Sequence, residues 1–196
     1  MLLALTEALC CPLDHDESYV VCVPVEADGS DVKSGVIGCP VCHAEYPIAD
    51  GAVHFGRVKE TSPVESLPYD AAALEAFLGL EGRGGYVALV GDAARHAAAL
   101  AERMPAVHVV AVNAPIQLPS ALVSPLVCPG RLPIRTRSMR AVALGRDAAS
   151  AGWIAEAVRV LLPGLRIVIE DDQAEAEGVE VLMRGGGMLV GQKRAR

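Results

Sequence analysis

The chain has 196 residues, just over half of them apolar but only 4% aromatic, and a formal charge of −7. That length suits one ordinary domain or a small domain joined to a minimal larger one, and a core of Ala, Val and Leu suits stacked α and β layers. The negative balance argues against a nucleic-acid binder that works by bulk counterion release.

The opening MLLALTEALCCP has no Lys or Arg ahead of its apolar run, and Glu7 interrupts it, so it reads as part of the fold rather than as a signal. No apolar run reaches the ~18 residues of a spanning helix. A cytoplasmic chain that avoids the membrane is expected, with its six cysteines serving as metal ligands or small buried hydrophobes. Next, YVVCVPV (Tyr19 to Val25) and DVKSGVIG (Asp31 to Gly38) flank the turn-rich EADGS and form a hairpin that returns to Cys39. RVKETSPVESLP, after Gly56, has prolines and charges but no apolar period and reads as a linker. The expected division is therefore a small module over 1–56, a linker over 57–67 and a larger domain over 68–196.

In the larger part, helical and strand patterns alternate. Tyr69 to Leu80 reads as a helix, YVALVG (Tyr86 to Gly91) as a buried strand, and DAARHAAALAERM as a helix stopped by Pro105. VHVVAV (Val107 to Val112) and MRAVALG (Met139 to Gly145) are further strands. A helix from Ser150 to Leu162 then leads through Pro163-Gly164 into LRIVIE. Strands separated by helices imply a parallel sheet covered on both faces. VEVLMRGGGMLVGQ departs from this pattern and reads as a closing antiparallel hairpin. The fold class is thus α/β, with a small β-hairpin module followed by a compact Rossmann-like sheet.

Cys39-Pro-Val-Cys42 is a knuckle that points two thiolates at one ion. Cys11-Pro-Leu-Asp14-His15 offers a third thiolate and either His15 or Asp14 as fourth ligand, His15 being favoured. Three thiolates and an imidazole form a common structural zinc set, and four filled positions leave no place for a reactive water. The competing reading of Cys39 and Cys42 is a pair of buried or redox-active thiols, though a redox pair would want a βαβ setting. Cys22 sits mid-strand, away from the knuckles, and Cys10 and Cys128 fit as buried small hydrophobes.

LTEALCCPLD, the strand pair and CPVCHAEYPIADGAVHF together resemble the short zinc-ribbon family that serves as common activator subunit of tRNA, rRNA and protein methyltransferases. The same ribbon also occurs fused ahead of bacterial methyltransferases. The resemblance covers residues 2 to about 55, is most specific in the turn Tyr46-Pro47-Ile48-Ala49-Asp50-Gly51, and departs at Asp14, where the family's zinc-binding members usually carry a second Cys. Residues 68–193 similarly resemble a compact S-adenosylmethionine-dependent methyltransferase, most clearly over Glu156 to Ile169.

That second resemblance implies a cofactor site whose signature is eroded here. Leu89 stands where the first strand would end in an acid, Gly91 is the one glycine left of the turn, and Ala93 and Arg95 are expected to crowd the cofactor. Asn113 replaces the ribose-binding carboxylate, and Arg140 takes the place of an acid in the fourth-strand segment. Gly91, Asp92 and Asn113 are the vestigial cofactor-binding candidates, although Asp92 also fits as a helix cap. No catalytic residue is assigned, and S-adenosylmethionine is not expected to bind.

Arg131, Arg135, Arg137, Arg140 and Arg146, with Lys193, Arg194 and Arg196 at the terminus, form the one basic cluster. It reads as an RNA or partner contact, or as a solvated loop balancing an acidic chain. The expected function is a noncatalytic zinc protein acting as a binding or assembly partner, through another protein or a second copy. An active methyltransferase with unusual cofactor contacts and an RNA-associated pseudoenzyme are the alternatives.

Overall fold

The computed structural model describes residues 1–58, 69–118 and 122–195. Of the linker read over 57–67, all but Arg57 and Val58 lies outside the described residues. After a 3-10 turn at Leu3–Ala8, four strands follow: β1 (Val21–Asp28), β2 (Asp31–Gly38), β3 (Glu45–Ala49) and β4 (Ala52–His54). The first two are the hairpin read from the sequence, but Tyr46 to Gly51 is not all turn. Tyr46 and Ile48 are buried while Glu45, Pro47 and Ala49 are exposed, which is the alternation of a half-buried strand. The chain reverses only at Asp50 and Gly51, both at positive φ (49° and 77°), as a two-residue hairpin of the Asp-Gly kind requires.

The remaining elements are α1 (Ala71–Leu78), β5 (Tyr86–Val90), α2 (Ala97–Arg103), β6 (His108–Val112), β7 (Val123–Val127), β8 (Met139–Leu144), α3 (Ala151–Val160), β9 (Leu161–Ile169), β10 (Val179–Gly185) and β11 (Met188–Lys193). Asp70 starts α1 by accepting a hydrogen bond from the Ala73 N–H at 2.8 Å, and Gly79 in the left-handed region ends it. The first half of the helix expected after β5 is instead a 3-10 segment, Gly91–His96. α3 also stops earlier than expected, at Val160. Pro163-Gly164 lies in an excursion of β9, where the ladder to β8 jumps from Met139↔Leu161 to Ala141↔Arg166. The Lys193 ammonium donates to the Val158 and Leu161 carbonyls, satisfying groups that the helix end leaves open.

Among the described residues eleven strands join one sheet in the order β1-β2-β3-β4-β7-β6-β5-β8-β9-β11-β10. From β7 to β9 every pairing is parallel, while β9, β11 and β10 pair antiparallel. This is the Rossmann-like α/β sheet with a closing antiparallel hairpin that the pattern implied. The small module adds to it directly, because β4 pairs parallel with β7 through Val53↔Leu126 and His54↔Val127.

β7 was not legible beforehand, since Pro125 argues against a central strand. The Asn113 N–H donates to Leu126 O, so Leu126 turns its backbone groups toward β6. Pro125 therefore turns its nitrogen toward the β4 side, where pairing begins only at Leu126, and no ladder bond is lost. Aliphatic layers cover both faces, one packed against α3 and the small module, the other against α1 and α2. Chain direction along the sheet reverses between β5 and β8, which leaves a crevice beyond their C-terminal ends.

Candidate metal centre and the crevice at the switch point

The chain brings Cys11, His15, Cys39 and Cys42 together, with one donor atom from each lying within 4.8 Å of all the others. Asp14, the alternative fourth ligand, is not part of that group. The knuckle is a tight turn in which the His43 N–H donates to Cys39 O at 3.0 Å and the Cys39 N–H to Ala44 O at 2.9 Å. Burial pushes the Cys39 thiol up, but the backbone N–H groups of Cys42 and Val41 aimed at its sulfur outweigh that and hold it at about 6. The loop from Cys11 is closed by the Cys11 N–H donating to Ser18 O and by a bridge between Cys10 and Tyr19.

The spacing fits zinc. Tetrahedral geometry with metal–sulfur bonds of about 2.3 Å and metal–nitrogen bonds of about 2.0–2.1 Å separates donors by about 3.8 Å (S···S) and about 3.6 Å (S···N). Cys11 Sγ lies 3.7 Å from Cys42 Sγ, and Cys39 Sγ lies 3.5 Å from His15 Nε2. His15 Nδ1–H donates to the Asp16 carbonyl at 2.7 Å, which leaves Nε2 with its lone pair toward the sulfurs. The buried Tyr46 hydroxyl lies 3.2 Å from Cys11 Sγ, where it can donate to a thiolate. Tyr46→Phe is therefore expected to weaken metal retention about tenfold without unfolding the chain, as measured by competition with a chelator. Cys10 and Cys128 stand apart, fully buried, and burial pushes their thiols up to about 11 and about 12.

The crevice beyond β5, β6 and β8 is a cavity of about 760 Å³, lined among others by Gly91, Asn113, Asp147, His54, Ile116 and Trp153. Two of the three candidate cofactor residues, Gly91 and Asn113, thus line it, but the side-chain amide of Asn113 is already engaged. Asn113, at φ 52°, donates its amide to Cys128 O at 2.8 Å and accepts from the Cys128 N–H at 2.9 Å. Asp92 is buried and does not line the cavity. Its N–H donates to Asp147 Oδ1 at 2.8 Å, and its carboxylate lies 4.0 Å from Arg95 Nε. No side chain of its own segment caps the 3-10 turn, so Asp147 does that work from across the crevice.

The two loops at the head of this crevice also approach each other closely. A Cβ placed on Gly91 would lie 2.2 Å from Asp147 Oδ1, and one on Gly145 would lie 2.6 Å from the Asp92 nitrogen. Gly91 and Gly145 thus allow the two loops to close on each other. Ala93 and Arg95, expected to crowd the crevice, do not line it. Ala93 is buried in the layer packed on α1 and α2, and the group that sits over Gly91 is the Asp147 carboxylate. Arg140 is likewise distant, at the N-terminal end of β8, with its guanidinium on the carbonyls of Gly84 and Glu81.

Sequence reading missed Asp147 and Glu170. Glu170, buried just past β9, accepts from the Tyr69 hydroxyl and from the Arg146 N–H at 3.3 Å. Burial pushes its carboxyl up, those hydrogen bonds pull it down, and the charges of Asp92 and Asp147 push it up again, leaving it raised. Between the ordinary value of 4.5 and the raised one, the folded chain holds a proton that the unfolded chain releases. The stability from this group is full below 4.5 and is lost as pH rises through the folded value. Glu170→Gln is expected to flatten that decline relative to the parent chain, as read from Tm measured between pH 4.5 and neutrality.

The fold divides the basic run, leaving Arg137 beside Lys193 and Arg194 and sending others elsewhere. Arg135 donates to Glu7 O and approaches Glu17, and Arg140 holds the 81–84 loop. Among the described residues no helix is long and apolar enough to cross a membrane.

No family model matches the chain, and no curated protein matches it. Solved structures do. The antibiotic-resistance methyltransferase Kmr is 14% identical with TM-score 0.46, over 65% of this chain and 94% of that one. Geranyl diphosphate C-methyltransferase from Streptomyces coelicolor A3(2), in complex with Mg2+, geranyl-S-thiolodiphosphate and S-adenosyl-L-homocysteine, is 18% identical with TM-score 0.42, over 50% of this chain and 41% of that one. A chain from the Haloferax volcanii complex of the Trm112 methyltransferase activator with a methyltransferase is 22% identical with TM-score 0.40, over 50% of each chain. The chain spans less than half the length of the geranyl diphosphate methyltransferases it matches.

Proposed function

We propose that this is a noncatalytic zinc protein with a methyltransferase-like α/β half, acting as a binding or assembly partner rather than transferring a methyl group. The observation that carries this is the Asp147 carboxylate seated over Gly91 on the Asp92 N–H. In dinucleotide-type sites, a glycine turn and the backbone N–H groups after the first strand receive an anionic part of the ligand. Here the chain supplies that anion itself. A ribose at Asn113 would have to displace two hydrogen bonds to Cys128, and Asn113 has no charge with which to compensate.

Residues 1–56 serve as the structural ribbon, with zinc held by Cys11, His15, Cys39 and Cys42. When bound, the ion crosslinks two loops and, with four protein ligands, activates no water. His15 orients its ring through Asp16, and Tyr46 steadies the Cys11 sulfur. A ligand that binds the folded chain raises its stability in proportion to ln(1 + [L]/Kd). S-adenosylmethionine at about 1 mM is therefore expected to leave Tm unchanged, whereas a rise of several degrees would favour the alternative of an active methyltransferase.

A further inference from the structure

A second cavity, of about 690 Å³, lies along α3 and plays no part in the proposed function. Its floor is one stripe of α3, formed by Ala151, Ile154, Ala155 and Val158, at the spacing that puts four side chains on one helix face. Its rim carries Arg137, Lys193 and Arg194, with Glu175 and Glu177 also lining it. Among the described residues, none of those three cations has a carboxylate within ion-pair distance, whereas Arg159 beside them is paired with Glu156 and Glu17.

These cations are placed by the fold. Arg137 occupies a left-handed turn (φ 56°), pinned as its N–H donates to Arg159 O at 3.1 Å and the Ser138 N–H donates to Val160 O at 2.9 Å. Lys193 stands over the C-terminal carbonyls of α3, and the Arg194 N–H donates to Gly178 O at 2.9 Å. Burial pushes the Lys193 ammonium down, and the positive charges of Arg137 and Arg159 push it the same way, a repulsion that an anion would relieve.

We propose that this groove is a binding site for a small phosphate monoester with an apolar body, its phosphate held by Arg137, Lys193 and Arg194 and its body lying on the Ala151–Val158 stripe of α3. Three unpaired cations match a doubly charged head better than a single carboxylate, and guanidinium forks suit phosphate oxygens. The apolar floor asks for more than inorganic phosphate.

Calorimetric titration of the full chain with phenyl phosphate tests this. Saturable binding is expected, weaker by about tenfold in Arg194→Ala and in Arg137→Ala, weaker for inorganic phosphate and phenylacetate, absent for phenol, and reduced by added salt. Arg194 is exposed, so its variant should fold even if the strained turn at Arg137 does not tolerate alanine. Three outcomes would each overturn the proposal: no saturable binding of phenyl phosphate, equal binding by a folded Arg194→Ala chain, or binding of a single-stranded oligoribonucleotide without binding of phenyl phosphate. The last would assign the groove to an extended polyanion.

Discussion

Cys39→Ser is expected to abolish metal retention and to destabilise the chain more than any other single change considered. The parent protein should carry about one zinc per chain by elemental analysis and the variant none, because a structural site that loses one of four ligands loses most of its affinity. Binding at such sites contributes about 10–16 kcal/mol to folding. Even a partial loss of several kcal/mol would lower Tm by about 10 °C or more, at about 2–4 °C per kcal/mol for a chain of this size. The knuckle lies between β2 and β3, and β4 pairs with β7, so melting should extend into the larger half's sheet rather than stop at 56. Chelator-treated parent protein should melt like the variant. A chain purified without metal, or one whose melting ignores both chelator and the substitution, would remove zinc from the account.

The second large effect is expected at Asn113, where introducing an acid should harm the chain. In Asn113→Asp, a carboxylate oxygen replaces the amide donor facing Cys128 O, setting acceptor against acceptor at a half-buried position. Losing that donor and leaving the carbonyl unsatisfied costs about 1–3 kcal/mol, read as a lower urea midpoint. Asp tolerates the left-handed backbone almost as well as Asn, so backbone strain does not confuse the result. Gain of S-adenosylmethionine binding without loss of stability would instead make Asn113 a ribose contact waiting for its charge.

The contrast between legible and hidden features has a physical pattern. The β1–β2 hairpin, the Cys39–Cys42 knuckle and the buried strands β5, β6 and β8 were legible because turn chemistry and apolar runs are local. β3 and β7 were hidden by Pro47 and Pro125, whose missing N–H groups are tolerated only because of what each strand's neighbours leave unpaired. His15 stands with the three cysteines and Asp14 does not, an outcome that depends on how the loop closes between Cys11 and Ser18. Leu89 and Asn113 could be set against the acids that the methyltransferase resemblance leads one to expect. That Asn113 is locked to Cys128, and that Asp147 covers Gly91, depends on loops brought together by the sheet. The arginine run was legible only in part, Arg137 standing with Lys193 and Arg194 as the sequence suggested. Closeness in sequence put Arg135 and Arg140 in one cluster, while the fold sends them to Glu7 and to Gly84.

The most direct test of an anion position held by the chain's own Asp147 carboxylate is calorimetric titration of the zinc-loaded chain with S-adenosylmethionine, alongside Asp147→Ala. A noncatalytic site whose anion position is taken by Asp147 gives no binding heat in the parent chain up to about 1 mM ligand, a weaker interaction than about −4 kcal/mol. Any binding that appears should appear only once Asp147 is removed. A micromolar dissociation constant in the parent, lost or unchanged in Asp147→Ala, would contradict it and make the protein a cofactor-binding methyltransferase-type chain.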